Sequence, residues 1–228
     1  MAQRWNRLLF AHWPIAPELL RPLVPAALPL DTLDGQAWIT LTPFHLTHAR
    51  PRGLPAIPGL SEFPELNLRT YVTLDGKSGV FFFSLDAGSR LAVEGARAFY
   101  HLPYFKARMS LDVAGDARVT YRSQRTDGRS TAAALTARYA PLGAPTPATP
   151  GSVDHWLVER YCLYAVNRSG QVFRAEIHHR PWVLSAAECV IEVNTVGAAA
   201  RINLDGPPAR LAYSDQLDVV AWWPERSS

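Results

Sequence analysis

Only two of the chain's 23 basic residues are lysines, Lys77 and Lys106, and the second sits where a lysine is costly. Lys106 follows Pro103-Tyr104-Phe105 and precedes Ala107, inside a stretch whose neighbours are large and apolar. Arg108 lies two residues on, about 6.7 Å away along an extended strand and on the same face. Desolvation and a nearby cation both disfavour an ammonium, which would leave the amine partly neutral and able to attack a carbonyl as an imine-forming nucleophile. A lysine on its flexible stem can equally reach water and stay charged. Spacing alone leaves both readings open.

A second candidate is the stripe Glu65, Asn67, Arg69 and Tyr71, which alternates with Leu66, Leu68, Thr70 and Val72. Strand periodicity puts the two sets on opposite faces. An exposed sheet face gives the same pattern. The stripe, however, directly precedes Val80–Phe83, the most apolar hairpin arm in the chain, which is expected to be buried. If the sheet closes on itself, the stripe lines an interior, with Glu65 as proton carrier and Arg69 as anion clamp. Trp38, Tyr71, Phe83 and Tyr104 are then candidate walls, and Asn67 and Arg108 further polar contacts.

Other signatures fail on their spacing or context. Gly76-Lys77-Ser78 copies the end of a phosphate loop, but Tyr71 stands at its first glycine position and the context is a hairpin turn. Gly-x-Gly-x-x-Gly, His-Glu-x-x-His, Cys-x-x-Cys and Gly-x-Ser-x-Gly are absent from the sequence. Adjacent His178 and His179 on a strand point to opposite faces, so one metal rarely takes both. One of the pair is expected to pack inward through a hydrogen bond and the other to be solvated. No metal or cofactor is expected.

The elements that must position these groups are mostly strands. Pro14–Pro29 holds closely spaced prolines, which allow one or two helical turns from Pro17, as a lid or packed connector. Strands are expected at Gln36–Leu46, Pro64–Leu74 and Val80–Leu85, the last two joined by the Asp75-Gly76 turn. A helix capped by Ser89 runs to Tyr100, and strands follow at Tyr104–Val113, Ala117–Ser123 and Ala132–Tyr139. Ala49–Pro64 and Pro141–Pro150 read as loops. Ser152–Tyr161 reads as a short helix, followed by strands at Leu163–Val166, Gln171–His179, Ala187–Val193 and Gln216–Trp222. The expected fold class is α+β, one mostly antiparallel sheet that curls or closes with a few external helices.

Composition agrees with a folded chain: 228 residues are 48% hydrophobic and 19% charged, which excludes disorder. A single domain over residues 1–228 fits this length. The net charge of +3 is spread without basic blocks, so nucleic acid is not an expected partner. Cys162 and Cys189 are isolated in apolar surroundings and read as free thiols. Met1–Phe10 lacks the apolar stretch of a signal peptide, and the most apolar window, Gly79–Leu85, is far short of the roughly 20 residues that cross a membrane. A cytoplasmic protein without a membrane partner is expected. Its oligomeric state is not specified, and a homo-oligomer is compatible.

The chain also resembles the YqjF-like domain of unknown function, which is placed with acetoacetate-decarboxylase-like proteins. The resemblance rests on Leu9-Phe10-Ala11-His12-Trp13-Pro14, Asp34-Gly35-Gln36-Ala37-Trp38, Pro43-Phe44, Glu65 to Val72, Phe82 to Asp86, Tyr100-His101-Leu102-Pro103-Tyr104-Phe105 and His178-His179-Arg180-Pro181-Trp182. It implies a cone-like, mostly antiparallel β-barrel enclosing a pocket, with His101 among the ligand-contacting residues. In decarboxylases of this fold a lysine forms an imine with a β-keto acid, beside a second lysine and nearby acids. Lys106 falls in the comparable region, but Phe105 and Ala107 adjoin it and only Arg108 supplies positive charge. Two functions follow: a small-molecule pocket protein binding an apolar or weakly acidic metabolite, or an imine-forming lyase or decarboxylase-like enzyme acting on a keto acid through Lys106. A regulatory or interaction protein is the third class.

Overall fold

The computed structural model describes residues 1–51, 53, 55, 61–115 and 117–227. Among them twelve strands form one sheet: β1 Ala2–Ile15, β2 Ala37–Arg50, β3 Phe63–Leu74, β4 Lys77–Ala87, β5 Tyr104–Val113, β6 Val119–Arg125, β7 Ala134–Pro147, β8 Cys162–Val166, β9 Val172–His179, β10 Val183–Asn194, β11 Arg210–Ala221 and β12 Glu225–Arg226. The helices are α1 Pro17–Leu20, α2 Arg90–Tyr100, α3 Val153–Val158 and α4 Val196–Ala199, with a 3₁₀ turn at Arg21–Leu23. None is long and apolar enough to cross a membrane.

The sheet divides at its two ends. β4 pairs in parallel with β8 at Val80–Phe81 and with β5 at Leu85–Ala87, and β11 pairs with both β9 and β10. Strands β4, β3, β2, β1 and β11 therefore belong to two rings, one completed by β8 and β9, the other by β10, β7, β6 and β5. The middle of this shared wall is buried on both faces, as the run Glu65–Val72 of β3 and residues 8–13 of β1 show. On β3, Leu66 and Leu68 pack with Leu9, Leu41, Tyr121 and Leu135 in the second ring, whereas Tyr71 packs with Phe10, Phe44 and Phe82 in the first. The expected mostly antiparallel sheet with few helices is what the strands form.

Local signals account for most elements. The β3–β4 hairpin turns through Asp75 and Gly76 at φ 52° and 72°, a left-handed pair suited to a tight turn. The Ser89 hydroxyl accepts from the Ala92 N–H at 3.4 Å at the start of α2, and Ser152 accepts from the His155 N–H at 3.2 Å at the start of α3. Pro17 opens α1, and buried Leu20, Val24 and Leu28 make Pro14–Pro29 a packed connector.

One expectation is corrected, and one strand was not foreseen. Pro141–Pro150 is not simply a loop, because β7 continues to Pro147 against β10. Its pairing with β6 ends at Tyr139, leaving one edge free beyond that point. Pro145 and Pro147 fall on alternate positions beyond a register shift that follows Leu142, in a stretch where an edge strand tolerates proline. β1 had no recognisable pattern in sequence. It is buried on both faces over residues 8–13, and a register break around Arg7, at φ 54°, disrupts alternation. The centre of the loop expected over Ala49–Pro64 lies outside the described residues.

Candidate functional site

The first ring is hollow. A half-open cavity of about 330 Å³ lies inside it, walled by Phe63, Val80, Phe82, Leu85, Leu163 and Trp182 and roofed by α2 through Leu91, Ala92, Gly95, Ala96, Phe99 and Tyr100. Only Val93 of α2 is fully buried, while Leu91 and Phe99 stand exposed at the rim beside Trp223. The helix is held by polar ties at its flanks: Arg97 donates to the Tyr104 carbonyl at 2.9 Å, and Arg129 makes a two-pronged ion pair with Glu94 at 2.8 and 3.0 Å.

The polar stripe of β3 crosses the cavity wall. Glu65, Asn67 and Arg69 are all buried and all face the cavity, at 4%, 6% and 7% exposure. Alternation carries them into the hollow ring for the same reason that it carries Leu66 and Leu68 into the filled one. Burial pushes the Glu65 carboxyl up to about 8, although hydrogen bonds from Tyr104 and Asn67 favour its ionised form. The Tyr104 hydroxyl donates to Glu65 Oε1 at 3.1 Å, and burial together with that carboxyl raises the phenol well above its usual range. Near neutral pH, then, Glu65 carries its proton.

Arg69 lies about 13 Å along the strand from Glu65. A second buried guanidinium, Arg160, comes from the turn between α3 and β8. Arg160 pairs with Asp31 at 2.5 Å and donates to the Trp156 carbonyl at 2.9 Å. Both arginines stand over the Tyr71 ring, at 5.8 and 5.0 Å from its centre, and Arg69 also lies over Phe10 at 5.4 Å. Arg69 Nε and Nη2 and Arg160 Nη2 are buried with no hydrogen-bond partner among the described residues, as is Asn67 Oδ1. Burying such donors without a partner is costly. Glu65 is the only acidic residue among the described cavity walls. The cavity thus joins apolar walls, a neutral carboxyl at one place and unsatisfied cationic donors at another.

The other candidates fall outside this wall. Lys106 Nζ donates to the carbonyls of Gly88 and Ala107, and its backbone N–H donates to Asp127 Oδ2 at 3.0 Å. Burial lowers the amine's pKa, but the group ties down the turn ahead of α2 and is not part of the cavity wall. Arg108 is exposed on β5. Tyr71 turns its hydroxyl to Thr40 Oγ1 at 2.6 Å and supports the arginines from behind. His101 caps α2 at φ 55° and packs on Phe173 at 4.7 Å. Phe83 packs against Phe81, and half-buried Trp38 against the core.

Sequence reasoning missed Arg160 and Tyr100 as cavity residues, as well as the cavity side of His179 and Trp182. The histidine pair behaves as the strand period requires: His178 is exposed, whereas His179 is buried, with Nδ1 2.7 Å from the Arg180 carbonyl oxygen. Both cysteines are free, and burial raises their thiols, Cys189 to about 11. Lys77, on the partly exposed start of β4, pairs with Glu176 at 2.5 Å.

Known proteins share this architecture. The model of the DUF2071 family, described as an uncharacterized conserved protein, matches residues 2–218. The uncharacterized protein YqjF of Bacillus subtilis (strain 168) is 52% identical over 222 residues, covering 97% of this chain and 90% of YqjF. Among solved structures, the enduracididine biosynthesis enzyme MppR complexed with pyruvate aligns with a TM-score of 0.69 at 9% identity, over all of this chain and 90% of that one. Acetoacetate decarboxylase from Legionella pneumophila aligns with a TM-score of 0.64 at 15% identity, over all of this chain and 88% of that one. At such identities the likeness is one of fold: the chain has the acetoacetate-decarboxylase-like architecture.

Proposed function

The chain belongs to the DUF2071 family of uncharacterized conserved proteins, and on that premise we propose that it is a small-molecule pocket protein whose ligand is an organic acid with an apolar body. The reading is carried by one observation: buried Arg69 and Arg160 keep unpartnered N–H groups in a wall whose only described acid, Glu65, is held neutral. An anion seated there supplies the missing acceptors, and charge-assisted hydrogen bonds in a partly dry cavity are the strong kind. At roughly 30 Å³ per water-sized group, the hollow takes a ligand of about ten non-hydrogen atoms. A branched or aromatic monocarboxylic acid has that size.

The imine-forming alternative requires the Lys106 amine beside a bound carbonyl. Its present partners are backbone carbonyls near the start of α2, so the pocket reading does not use it. The geometry also divides the work among the polar groups. Arg69 orients the anion, neutral Glu65 offers a proton or a hydrogen bond, and Tyr104 fixes the Glu65 carboxyl.

Calorimetric titration with a panel of carboxylic acids and their primary amides tests this. Acids are expected to bind at least about tenfold more tightly than their amides, the effect of one to two charged hydrogen bonds. Arg69→Met is expected to remove that preference. Equal binding of acid and amide, or an acid preference that survives Arg69→Met, would overturn the reading.

A further inference from the structure

Beside the cavity lies a second hollow of about 390 Å³, open to the surface between the start of β1, the end of β2 and the β9–β11 pair. Gln3, Arg50, His179 and Val219 line both hollows, so the two are neighbours. The second is basic. Arg4, Arg50, Arg180, His48 and His178 border it, against Asp218 as the one described acid. Asp218 is engaged by Arg4 at 2.7 and 3.3 Å. Among the described residues Arg50 donates only to the His48 carbonyl, at a long 3.4 Å, and neither Arg50 nor Arg180 has a carboxylate within ion-pair distance. This part of the wall concentrates in one groove a charge that the chain as a whole, at +3, does not carry.

We propose that this groove is a vestibule that binds a phosphate or diphosphate group whose attached apolar portion lies in the neighbouring cavity. Exposed single ion pairs contribute little, so a lone carboxylate gains little from side chains as open as Arg180 and His48. A group with several anionic oxygens engages two guanidiniums and an imidazole together, and the planar fork of arginine matches phosphate geometry. The apolar hollow next to the groove sets the rest of the ligand: an alkyl or acyl group on a phosphorylated carrier. The proposal rests on Arg50 and Arg180, not on Arg69, and stands or falls apart from the acid reading above.

The experiment titrates the full chain with inorganic pyrophosphate and, separately, with n-octyl phosphate, using calorimetry and thermal midpoint. Both probes are expected to bind, the octyl compound competing with pyrophosphate. The double variant Arg50→Gln/Arg180→Gln is expected to weaken each by about tenfold or more while keeping the midpoint of the unliganded protein. Arg69→Met is expected to leave pyrophosphate binding unchanged. A pyrophosphate affinity that is absent, or indifferent to the double variant, overturns the proposal. So does co-sedimentation with phosphatidylglycerol-containing vesicles, and not with phosphatidylcholine alone, in a protein that ignores soluble pyrophosphate, since that outcome reassigns the groove to a membrane surface.

Discussion

The two rings share strands β4, β3, β2, β1 and β11, yet one is filled and the other hollow. In the filled ring, Leu66, Leu68, Tyr121, Leu135 and Tyr139 interdigitate with β1 and β2, and the hydroxyls of Tyr121 and Tyr139 are satisfied by the carbonyls of Glu65 and Arg7 at 2.7 and 2.8 Å. In the hollow ring, the opposite face of β3 offers a carboxyl, an amide and a guanidinium, and a helix covers the space instead of filling it. One face of the shared wall packs a core and the other lines the cavity. The division is possible because side chains on a strand alternate, so polar groups on one face leave the packing of the other untouched.

Substitutions on opposite faces of this wall should separate the two roles. The largest effect is expected from pH. The folded-state pKa of Glu65 is raised from its ordinary 4.5 to about 8, so the native state holds a proton that the unfolded chain releases above 4.5. Its contribution is fully present below about 4.5 and is lost as pH rises to about 8, at about 1.4 kcal/mol per pH unit. Glu65→Gln is expected to remove that slope from urea-unfolding free energies, and a variant with the same slope as the wild type refutes the assignment.

Truncation comes next. Leu68→Ala, in the filled ring, is expected to cost about 2–5 kcal/mol. Phe82→Ala is expected to cost less than the usual large-to-small penalty, because the space it leaves merges with an existing cavity, while ligand binding changes. Urea midpoints that rank the two the other way would erase the distinction between the rings. Closure of the hollow ring is probed at Gly79, where an added Cβ would meet the Cys162 sulfur at 2.6 Å and its carbonyl at 2.8 Å. Gly79→Ala is expected to cost about 1–3 kcal/mol and to speed amide exchange in β8 and β9, leaving β6 and β7 protected.

The roof allows a gain. A Cβ on Gly95 meets nothing within 4 Å, so Gly95→Ala should stabilise by about 0.5–1 kcal/mol through helix propensity, read as a higher thermal midpoint. The smallest effect is expected at Lys106. Lys106→Met should leave acid binding unchanged, and borohydride reduction of the wild type with pyruvate should give no adduct on Lys106. A mapped adduct there would restore the imine reading.

Much of this was legible in the chain before folding. The alternation of Glu65 to Val72 marked a strand with two chemically different faces, the Asp75-Gly76 pair marked its hairpin, and Ser89 marked the start of α2. His178 and His179 separated as neighbours on a strand must. Lys106 was legible as a lysine in apolar company, but its partner, the Gly88 carbonyl, is supplied by a turn 18 residues away. Arg160 carried no signal, since it sits at the end of a short helix and reaches the cavity only because β8 docks on β4. β1 was unreadable because both faces are buried over residues 8–13 and the register breaks around Arg7, so no period remains to detect.

What the sequence determined by itself is local: strand and helix tendencies, turn positions, caps, and which side chains share a face, all of which follow from backbone periodicities of 2 and 3.6. Which face meets a filled space and which a hollow one was decided by the tertiary structure, when β4 and β11 each took two partners and closed two rings. That closure gathers Glu65, Arg69 and Arg160 around one space and removes water from them. Charge state, unmet hydrogen bonds and a ligand's place depend on such desolvation, which no spacing along a chain encodes.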